Sequence, residues 1–456
     1  THQMNVDPRR GEWLGECEAD DALTADPLSA TAVNLRELRR GYDKATKLPE
    51  DLVVEMSQTT SQAKHAWAEA RKANRYADFK PWLAKVVALN QRKAECFGWD
   101  SSGGGEPWDA LADSFEAGMT AASVAEVFTP LRQRLVPLLE AILGSDAGPT
   151  NAFNEIKLPV EQQKAFVKFV SAAVGFDYDR GRLDESTHPF CSGTHCHDVR
   201  MTTRFHEDNV NDALGSTMHE SGHGIYEQGL PEAHLGTPMG SAVGLSIHES
   251  QSRMWENQVG RSRAFWTWCY PKLAEFFGDA TADLTEEQIY GGANIVTPGL
   301  IRVEADEATY NLHIMIRFEI ERLLMKGDLA VDDLPDAWNV KYKEYLKIDV
   351  PDDTRGCMQD IHWSMGAIGY FPTYTMGNLY CAQFFETARE QLGDLDAMFA
   401  KGDFTPLRHW LNDNIHAHGK RYRSADLVQH VTGKPLTADP LMRHLESKLK
   451  PLYKLG

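Results

Sequence analysis

Residues 212–228, which read DALGSTMHESGHGIYEQ, carry the strongest structural signal in this chain. Two histidines, His219 and His223, lie four residues apart, and residues at that spacing project from the same face of an α-helix. Both imidazoles can therefore reach one metal ion. Glu220 follows the first histidine but is displaced around the helix, so it can stand beside a metal ion without being a ligand.

The pattern in this stretch is H-E-x-x-H, the signature of zinc peptidases. In that chemistry the histidines bind the metal ion and the glutamate acts as general base toward a water molecule. The alternative interpretation is an exposed helix that carries two unrelated histidines. The apolar residues around the pair disfavour it, because they predict a half-buried helix, and buried histidines need polar partners.

A third protein ligand is needed if two histidines and a water molecule are to complete a tetrahedral zinc site. The stretch GLSIHESQSR, residues 244–253, is apolar before an acidic residue and continues with helical spacing. We predict Glu249 as the third ligand. His248 is the alternative, and adjacent residues on a helix point about 100° apart, so only one of the two can face the metal ion. A site of two His and one Glu keeps one position open, which is typical of catalytic zinc.

The composition is that of an ordinary globular protein. Of the 456 residues, 42% are hydrophobic and 25% charged, and no apolar run is long enough for a membrane span. The net charge of -19 argues against nucleic acid or an anionic membrane as a partner, because phosphate binding uses clustered Lys and Arg. Seven scattered cysteines are typical of reduced thiols, so we predict a cytoplasmic location. No charged-then-apolar leader opens the chain, so we predict no signal peptide.

Helical periodicity covers most of the chain. The clearest predicted helices are 31–46, 50–76, 79–98, 121–144 and 159–175. Residues 176–206 are instead rich in Asp, Gly, Ser, Thr and His, and 199–205 alternates as a strand does. We predict a short β-hairpin there that leads into the H-E-x-x-H helix, whose N-terminus Asp208 or Asn211 would cap.

The sequence CSGTHCH at residues 191–197 could be mistaken for a second zinc site. No answering pair of Cys or His follows at zinc-finger distance, so we interpret this segment as a loop.

A long helix is predicted from about residue 300 to Lys326. One stripe along it would contain Arg302, Asp306, Tyr310 and His313. Two interpretations explain such a stripe equally well. It could be a solvated face with a surface ion pair, or a buried face with a function. The segment 355–378 is dense in Gly, aromatic and hydrogen-bonding residues without clear periodicity, which is typical of an irregular active-site wall.

Six motifs, in this order, resemble the carboxypeptidase Taq family of HExxH metallocarboxypeptidases. They are HPF at 188–190, DVRMT at 198–202, HESGH at 219–223, HES at 248–250, IRVEAD at 301–306 and GCMQDIHW at 356–363. The resemblance is dense from about 183 to 380 and looser over the remainder. The chain departs from the family pattern at 194–197, where the family usually has small residues, and it starts late, as if a first helical segment were absent.

The resemblance implies a mainly α fold, a large helical peptidase with a long deep cleft and a small β-sheet beside the metal site. A single domain would cover 1–456, with a helical N-terminal part to about 175, a metal-site core of about 176–380 and a helical C-terminal part of about 381–456. The resemblance also implies a homodimer and supports Glu249 as the third ligand.

Our hypothesis is a metal-dependent carboxypeptidase that removes single residues from the C-terminus of peptides. His219, His223 and Glu249 would hold one Zn2+, or Co2+ or Mn2+, per chain, and Glu220 would be the general base.

Further roles follow from the resemblance. It makes Tyr374 and His362 candidate donors to the oxyanion. An exopeptidase must also bind a free carboxylate, for which the planar fork of Arg is suited. The resemblance places Arg302 and Arg355 at the cleft, and His188 in the same loop wall.

Two other functions compete with this hypothesis. An oligoendopeptidase or a dipeptidyl carboxypeptidase could use the same metal site, and the position of the carboxylate-binding Arg would separate them. A helical binding protein with a vestigial metal site is disfavoured because Glu220 is intact.

Overall fold

The computed structural model describes residues 2–456, and it confirms the mainly α fold. The chain divides into two compact units, each built from two stretches of sequence. The first unit contains the residues up to Leu139 together with Thr297–Thr375, and the second contains Glu140–Val296 together with Met376–Gly456. Among residues 2–456, every helix is too short or too polar to pass through a lipid bilayer.

Helices of the first unit form where strong helix formers recur with apolar residues three or four positions apart. Their bounds are His2–Asn5, Pro8–Glu18, Asp21–Thr24, Ala30–Thr46, Glu50–Ala73, Tyr76–Phe97, Pro107–Ala112, Tyr310–Lys326 and Leu334–Leu346, and the helix Ala121–Leu143 begins in this unit. The predicted helix 50–76 ends early because Asn74 adopts a left-handed conformation with φ 49°. The other predicted boundaries in this unit agree within a few residues.

A buried carboxylate ties together three segments of the first unit. The Glu321 side chain accepts hydrogen bonds from the indole N–H groups of Trp108 and Trp363, each at 3.0 Å, and from the backbone N–H of Gly369 at 2.9 Å. Burial raises the pKa of Glu321 to about 7, although the three N–H donors act in the opposite direction.

The predicted helix from residue 300 is wrong at its start. Residues Arg302–Glu304 form a 3-10 turn, and the helix begins only at Tyr310. The reason is Asp306, whose carboxylate accepts hydrogen bonds from the backbone N–H groups of Ala308 and Thr309 at 2.9 and 3.0 Å. A side chain that binds these N–H groups starts a helix rather than continuing one. The predicted stripe is therefore not the face of one helix.

The second unit combines helices with one small sheet. Its helices are Val160–Val174, Val210–Gln228, Leu245–Arg253, Arg263–Phe277, Glu286–Gly292, most of Pro372–Leu392, Leu395–Phe399, Thr405–Asn414, Ser424–Thr432 and Asp439–Leu452. The strands are β1 (Gly181–Glu185), β2 (Cys191–His195) and β3 (Asp198–Thr203), in the order β1-β3-β2. β2 and β3 form the predicted hairpin, whereas β1 pairs with β3 in parallel and was not predicted.

The helix Val210–Gln228, here called the HExxH helix, is capped by Asn209. The Asn209 side chain accepts a hydrogen bond from the backbone N–H of Asp212 at 3.0 Å. The predicted caps Asp208 and Asn211 were therefore wrong by one and two positions.

A glycine in the HExxH helix allows a second helix to approach closely. A Cβ atom on Gly222 would lie 2.6 Å from Cα of Ser252, which belongs to the helix Leu245–Arg253, here called the Glu249 helix. No side chain fits between two backbones at that distance, so glycine sets the spacing of the two helices.

We predict that Gly222→Ala lowers the free energy of unfolding of the metal-free protein by about 1–3 kcal/mol, the usual cost of overpacking. Gly215→Ala in the same helix is the matched control, because a Cβ there would meet nothing within 4 Å. That variant should gain roughly 0.5–1 kcal/mol, since alanine is the better helix former. Urea denaturation of both variants measures these changes. Equal effects of the two substitutions would show that Gly222 does not set the helix spacing.

Candidate active site

The HExxH helix and the Glu249 helix bring His219, His223 and Glu249 together. Nε2 of His219 lies 3.7 Å from Oε2 of Glu249, and Nε2 of His223 lies 3.6 Å from the same oxygen. One ligand atom from each of the three side chains lies within 4.8 Å of the other two. Two ligands of a tetrahedral zinc ion, at bond lengths of about 2.1 Å, are roughly 3.4 Å apart. The three side chains therefore fit one divalent metal ion.

Glu220 lies beside this cluster and is buried, with 5% of its surface exposed. Within residues 2–456, its Oε2 atom has no hydrogen-bond partner. Burial raises the pKa of Glu220 to about 7, with the charge of His219 acting against the shift and the charge of Glu249 adding to it. A buried carboxylate oxygen without a partner is costly, so it is expected to have a function.

His219 is oriented by Glu256. Its Nδ1 atom lies 2.9 Å from Oε2 of Glu256, so Nδ1–H donates to the carboxylate and the lone pair of Nε2 is left for a metal ion. Burial alone would lower the pKa of His219, but the charges of Glu249 and Glu256 raise it above its ordinary value. Glu256 belongs to a π-helical segment, Met254–Val259, that directly follows the Glu249 helix.

His223 is oriented by a relay of two residues. Its Nδ1 atom lies 2.6 Å from Nδ1 of His248, and Nε2 of His248 lies 2.7 Å from Oε1 of Glu227. Glu227 can only accept, so His248 donates from Nε2 and accepts at Nδ1, and Nδ1–H of His223 is the donor between the two rings. The lone pair of Nε2 on His223 is thereby left for the cluster. Burial and the nearby imidazoles lower the pKa of His223 well below its ordinary value.

Arg253 binds the carboxylates of Glu249 and Glu256. Its Nε atom donates to Oε1 of Glu249 at 2.8 Å, and its Nη1 atom donates to Oε2 of Glu256 at 3.1 Å. Oε2 of Glu249 is the oxygen that faces the two histidines. One oxygen of Glu249 is thus bound by arginine while the other is directed to the cluster.

A second group of predicted site residues lies together in the first unit. Arg302 is buried, and its Nε and Nη2 atoms donate to Oδ1 of Asp360 at 3.0 and 2.8 Å. Its guanidinium carbon lies 5.0 Å from the centre of the Tyr374 ring. Nε2 of His362 lies 3.3 Å from the hydroxyl oxygen of Tyr374. Arg317, which is fully buried, binds the other oxygen of Asp360.

Asp360 compensates only one of the two guanidinium groups that bind it. Burial would raise the pKa of Asp360, but the guanidinium groups of Arg302 and Arg317 hold it far below its ordinary value. One carboxylate between two guanidinium groups leaves a net positive charge.

The remaining predicted substrate residues lie elsewhere. Arg355 is half exposed, donates to Asp352 and lines a cavity of about 560 Å³ in the first unit with Trp67, Arg71 and Lys72. His188 is exposed, in the loop between β1 and β2 of the second unit. Its backbone carbonyl accepts a hydrogen bond from the Ser186 hydroxyl at 2.7 Å.

Sequence reasoning missed the residues that support the three candidate ligands. Glu249, Arg253 and Glu256 follow one another at intervals of four and three, which places them on one face of a helix. That spacing is a signal that could have been found. The partnership of His248 and Glu227 has no such signal, because it joins two different helices.

A two-histidine, one-glutamate cluster with a buried acid beside it, on a helical scaffold, is typical of a metallopeptidase. The chain belongs to the carboxypeptidase Taq (M32) metallopeptidase family, whose family model matches residues 1–449. It is therefore a hydrolase that acts on peptide bonds, and the resemblance seen in the sequence is confirmed.

Several relatives are similar over nearly the whole chain. Thermostable carboxypeptidase 1 of Thermus thermophilus is 46% identical, and the alignment covers 99% of this chain and 89% of that protein. Carboxypeptidase 1 of Bacillus subtilis is 37% identical, with coverage of 96% and 86%. The crystal structure of an M32 carboxypeptidase from Deinococcus radiodurans R1 is 41% identical, with a TM-score of 0.94 and coverage of 99% and 90%.

We predict that Glu249→Ala loses most of the bound metal, because two histidines alone make a two-ligand site. His248→Ala is the control and should weaken metal binding only about ten- to a hundred-fold, the usual effect of losing a partner behind a ligand. Metal content after dialysis and competition with a chelator measure both. The choice of Glu249 would be wrong if His248→Ala lost its metal and Glu249→Ala kept it.

Proposed function

We propose that this protein is a metal-dependent carboxypeptidase that removes single residues from the C-terminus of peptides. The observation that carries the proposal is the juxtaposition of His219, His223 and Glu249 with Glu220, whose Oε2 atom is buried without a partner within residues 2–456. Zn2+ is the proposed ion, with Co2+ or Mn2+ as alternatives, one per chain.

The chemistry supplied by the bound ion is polarisation of the scissile carbonyl and a lowered pKa of a water molecule. Glu220 accepts the proton of the attacking water and passes it to the nitrogen of the leaving amine. Its protonated form suits the second step, because burial stabilises the neutral acid. Glu256 and the His248–Glu227 relay keep the imidazole lone pairs directed toward the ion.

Two further residues are proposed to act on the developing oxyanion. Nε2 of His362 and the hydroxyl oxygen of Tyr374 are 3.3 Å apart, and either a phenolic O–H or an imidazole N–H is a suitable donor to an oxyanion. Their proposed role rests on this chemistry and on their place in the family motifs.

Recognition of the free carboxylate at the end of the peptide is proposed for Arg302 or Arg355, and His188 is proposed as a further substrate-binding residue. Arg302 is rigidly held, and the group around Asp360 retains a positive charge that attracts an anion. Arg355 is more accessible, and its cavity is lined by the cations Arg71 and Lys72 and by the carboxylate of Asp352, so positive charge exceeds negative charge there. The two arginines are therefore tested separately.

We also propose a homodimer in the cytoplasm. The family resemblance supports the dimer, and the sparse, scattered cysteines support the compartment. Light scattering that gives one chain of 51.1 kDa would contradict the dimer, and recovery in a secreted fraction would contradict the location.

We predict that Glu220→Gln retains its metal but loses peptide hydrolysis by at least about a hundred-fold, because an amide cannot accept the proton of the water. Metal content and hydrolysis are measured on the same sample. Glu207→Gln, an exposed acid just ahead of the HExxH helix, is the control that should hydrolyse as the parent does. Activity of Glu220→Gln within about ten-fold of the parent would remove Glu220 from the mechanism.

We predict that a peptide with a free C-terminus is shortened one residue at a time, whereas its C-terminal amide is barely hydrolysed. The amide leaves the arginine facing a neutral group. Replacing the arginine that binds the carboxylate by Ala should lower kcat/KM on the free acid by roughly thirty-fold to several thousand-fold, equivalent to about 2–5 kcal/mol. Lys should not restore it, since it lacks the planar fork.

The variants for this experiment are Arg302→Ala, Arg302→Lys, Arg355→Ala and Arg355→Lys, with products identified by mass. Arg389→Ala is the matched control for Arg355, because its side chain is 47% exposed and pairs with Asp396 at 2.8 Å, as Arg355 pairs with Asp352. Internal cleavage of both peptides would favour an oligoendopeptidase, and release of dipeptides from the acid would favour a dipeptidyl carboxypeptidase.

A further inference from the structure

The turn of the β2–β3 hairpin carries a cluster of metal-ligating side chains that the peptidase chemistry does not use. The sequence of this turn offers Cys196 and His197 but no answering pair of Cys or His. The fold supplies another partner, Glu232, from a 3-10 turn 35 residues further along the chain. One ligand atom each from Cys196, His197 and Glu232 lies within 4.8 Å of the other two.

The spacing of these atoms is close to that of a tetrahedral site. Nε2 of His197 lies 3.4 Å from Oε2 of Glu232. A nitrogen and an oxygen bound at about 2.1 Å to one zinc ion are roughly 3.4 Å apart, and a sulfur bound at about 2.3 Å is roughly 3.6 Å from either. The nitrogen and the oxygen are therefore already in place. The Cys196 sulfur lies within 4.8 Å of both atoms, so a small movement of its side chain would complete the set of three ligands.

The backbone holds the donors on two ordered segments. His195 and Asp198 are paired across the hairpin, and the backbone N–H of His197 donates to Nδ1 of His195 at 2.9 Å. This bond fixes the turn that presents Cys196 and His197. Glu232 follows Pro231 directly, whose fixed φ restricts the chain at the start of the 3-10 turn.

Burial separates this cluster from an ordinary surface ion pair. The side chains of His197 and Glu232 are 49% and 61% exposed, and an ion pair so exposed to solvent contributes little to stability. Cys196 is instead buried, with 6% exposed. The buried sulfur lies within 4.8 Å of the exposed pair, so it can supply an inner ligand to a site whose outer ligands reach the solvent.

We propose that Cys196, His197 and Glu232 form a second metal site, separate from the catalytic cluster, for a divalent ion that accepts sulfur ligands, such as Zn2+. Sulfur and imidazole ligands favour Zn2+ over Mg2+ or Ca2+, which take oxygen ligands. On binding, the Cys196 thiol releases its proton to solvent and binds as the thiolate, without any change of oxidation state. A fourth position faces solvent.

The bound ion would fasten the hairpin to the segment that follows the HExxH helix. β2 already touches that helix, because a Cβ atom on Gly193 would lie 3.0 Å from Oε2 of Glu227. Glu227 is the last member of the relay behind His223. The second site thus stabilises a part of the second unit that borders the catalytic cluster.

Cobalt titration of the metal-free full chain tests this site without relying on peptidase activity. A thiolate bound to Co2+ gives a charge-transfer absorption in the near ultraviolet, and the cluster of His219, His223 and Glu249 contains no sulfur. We expect two Co2+ ions per chain and this absorption in the parent protein. Cys196→Ser should lose the absorption and one ion, whereas Cys191→Ser, from the same hairpin, should keep both. His219→Ala should lose one ion and keep the absorption.

Glu232→Gln provides a second variant that does not disturb a buried residue. This variant should keep the fold. It should weaken the affinity for Co2+ at this site by more than about ten-fold, which is the effect of losing a residue that only hydrogen bonds to a ligand. The proposal is overturned if the parent binds one Co2+ ion without the absorption, if the absorption survives Cys196→Ser, or if Glu232→Gln leaves this affinity unchanged. Failure of the peptidase proposal would leave these readouts unaffected, because none of them depends on hydrolysis.

Discussion

Compensation of buried negative charge is the constraint on which the active-site region depends. The side chains of Glu220, Glu249 and Glu256 are all buried or nearly so. Burying a carboxylate without a compensating charge costs roughly several kcal/mol, even after the surrounding protein relaxes. Arg253 binds two of the three, and Arg261 lies 3.4 Å from Oε1 of Glu256. Three carboxylates then face two guanidinium groups. A divalent cation between the histidines and Glu249 would add to this compensation.

The same constraint explains why the backbone departs from regular helix in this region. A π-helical segment widens the helix locally, so that Glu256, seven residues after Glu249, is presented to His219 while Glu249 faces the histidines. Glycine then permits close packing around the acid: a Cβ atom on Gly377 would lie 2.6 Å from Cγ of Glu249. Irregular backbone and glycine residues thus occur where charged side chains converge.

Periodicity in the sequence predicted the part of the site that lies on one helix. The positions of His219 and His223 follow from a spacing of four residues, whereas helix geometry shows only that one of His248 and Glu249 can face the metal ion, and the family resemblance supports Glu249. Periodicity failed at Arg302, because Asp306 can stand inside a helix or start one, and only its hydrogen bonds to Ala308 and Thr309 decide between these states.

Contacts between segments that are far apart in the sequence could not be predicted, for a different reason. Strand β1 pairs in parallel with β3 although the two are separated by the hairpin partner β2, and no local pattern specifies that pairing. Cys and His residues are rare enough for their spacing to indicate a metal site, so a partner for Cys196 and His197 is expected among them. It is a glutamate, Glu232, and carboxylates are too common in this acidic chain to be recognised by spacing.

The cluster of His219, His223 and Glu249 and the proposed hairpin site differ in the hydrogen bonds that their histidines make to other residues. Behind His219 and His223, carboxylates fix the tautomers before an ion binds, so little side-chain freedom remains to be lost. His197 instead contacts Glu232, itself a proposed ligand, and both side chains are substantially exposed. Exposed side chains keep more freedom than buried ones, and restricting them in the proposed site would weaken binding. We therefore expect the cluster of His219, His223 and Glu249 to bind a divalent ion more tightly than the proposed hairpin site.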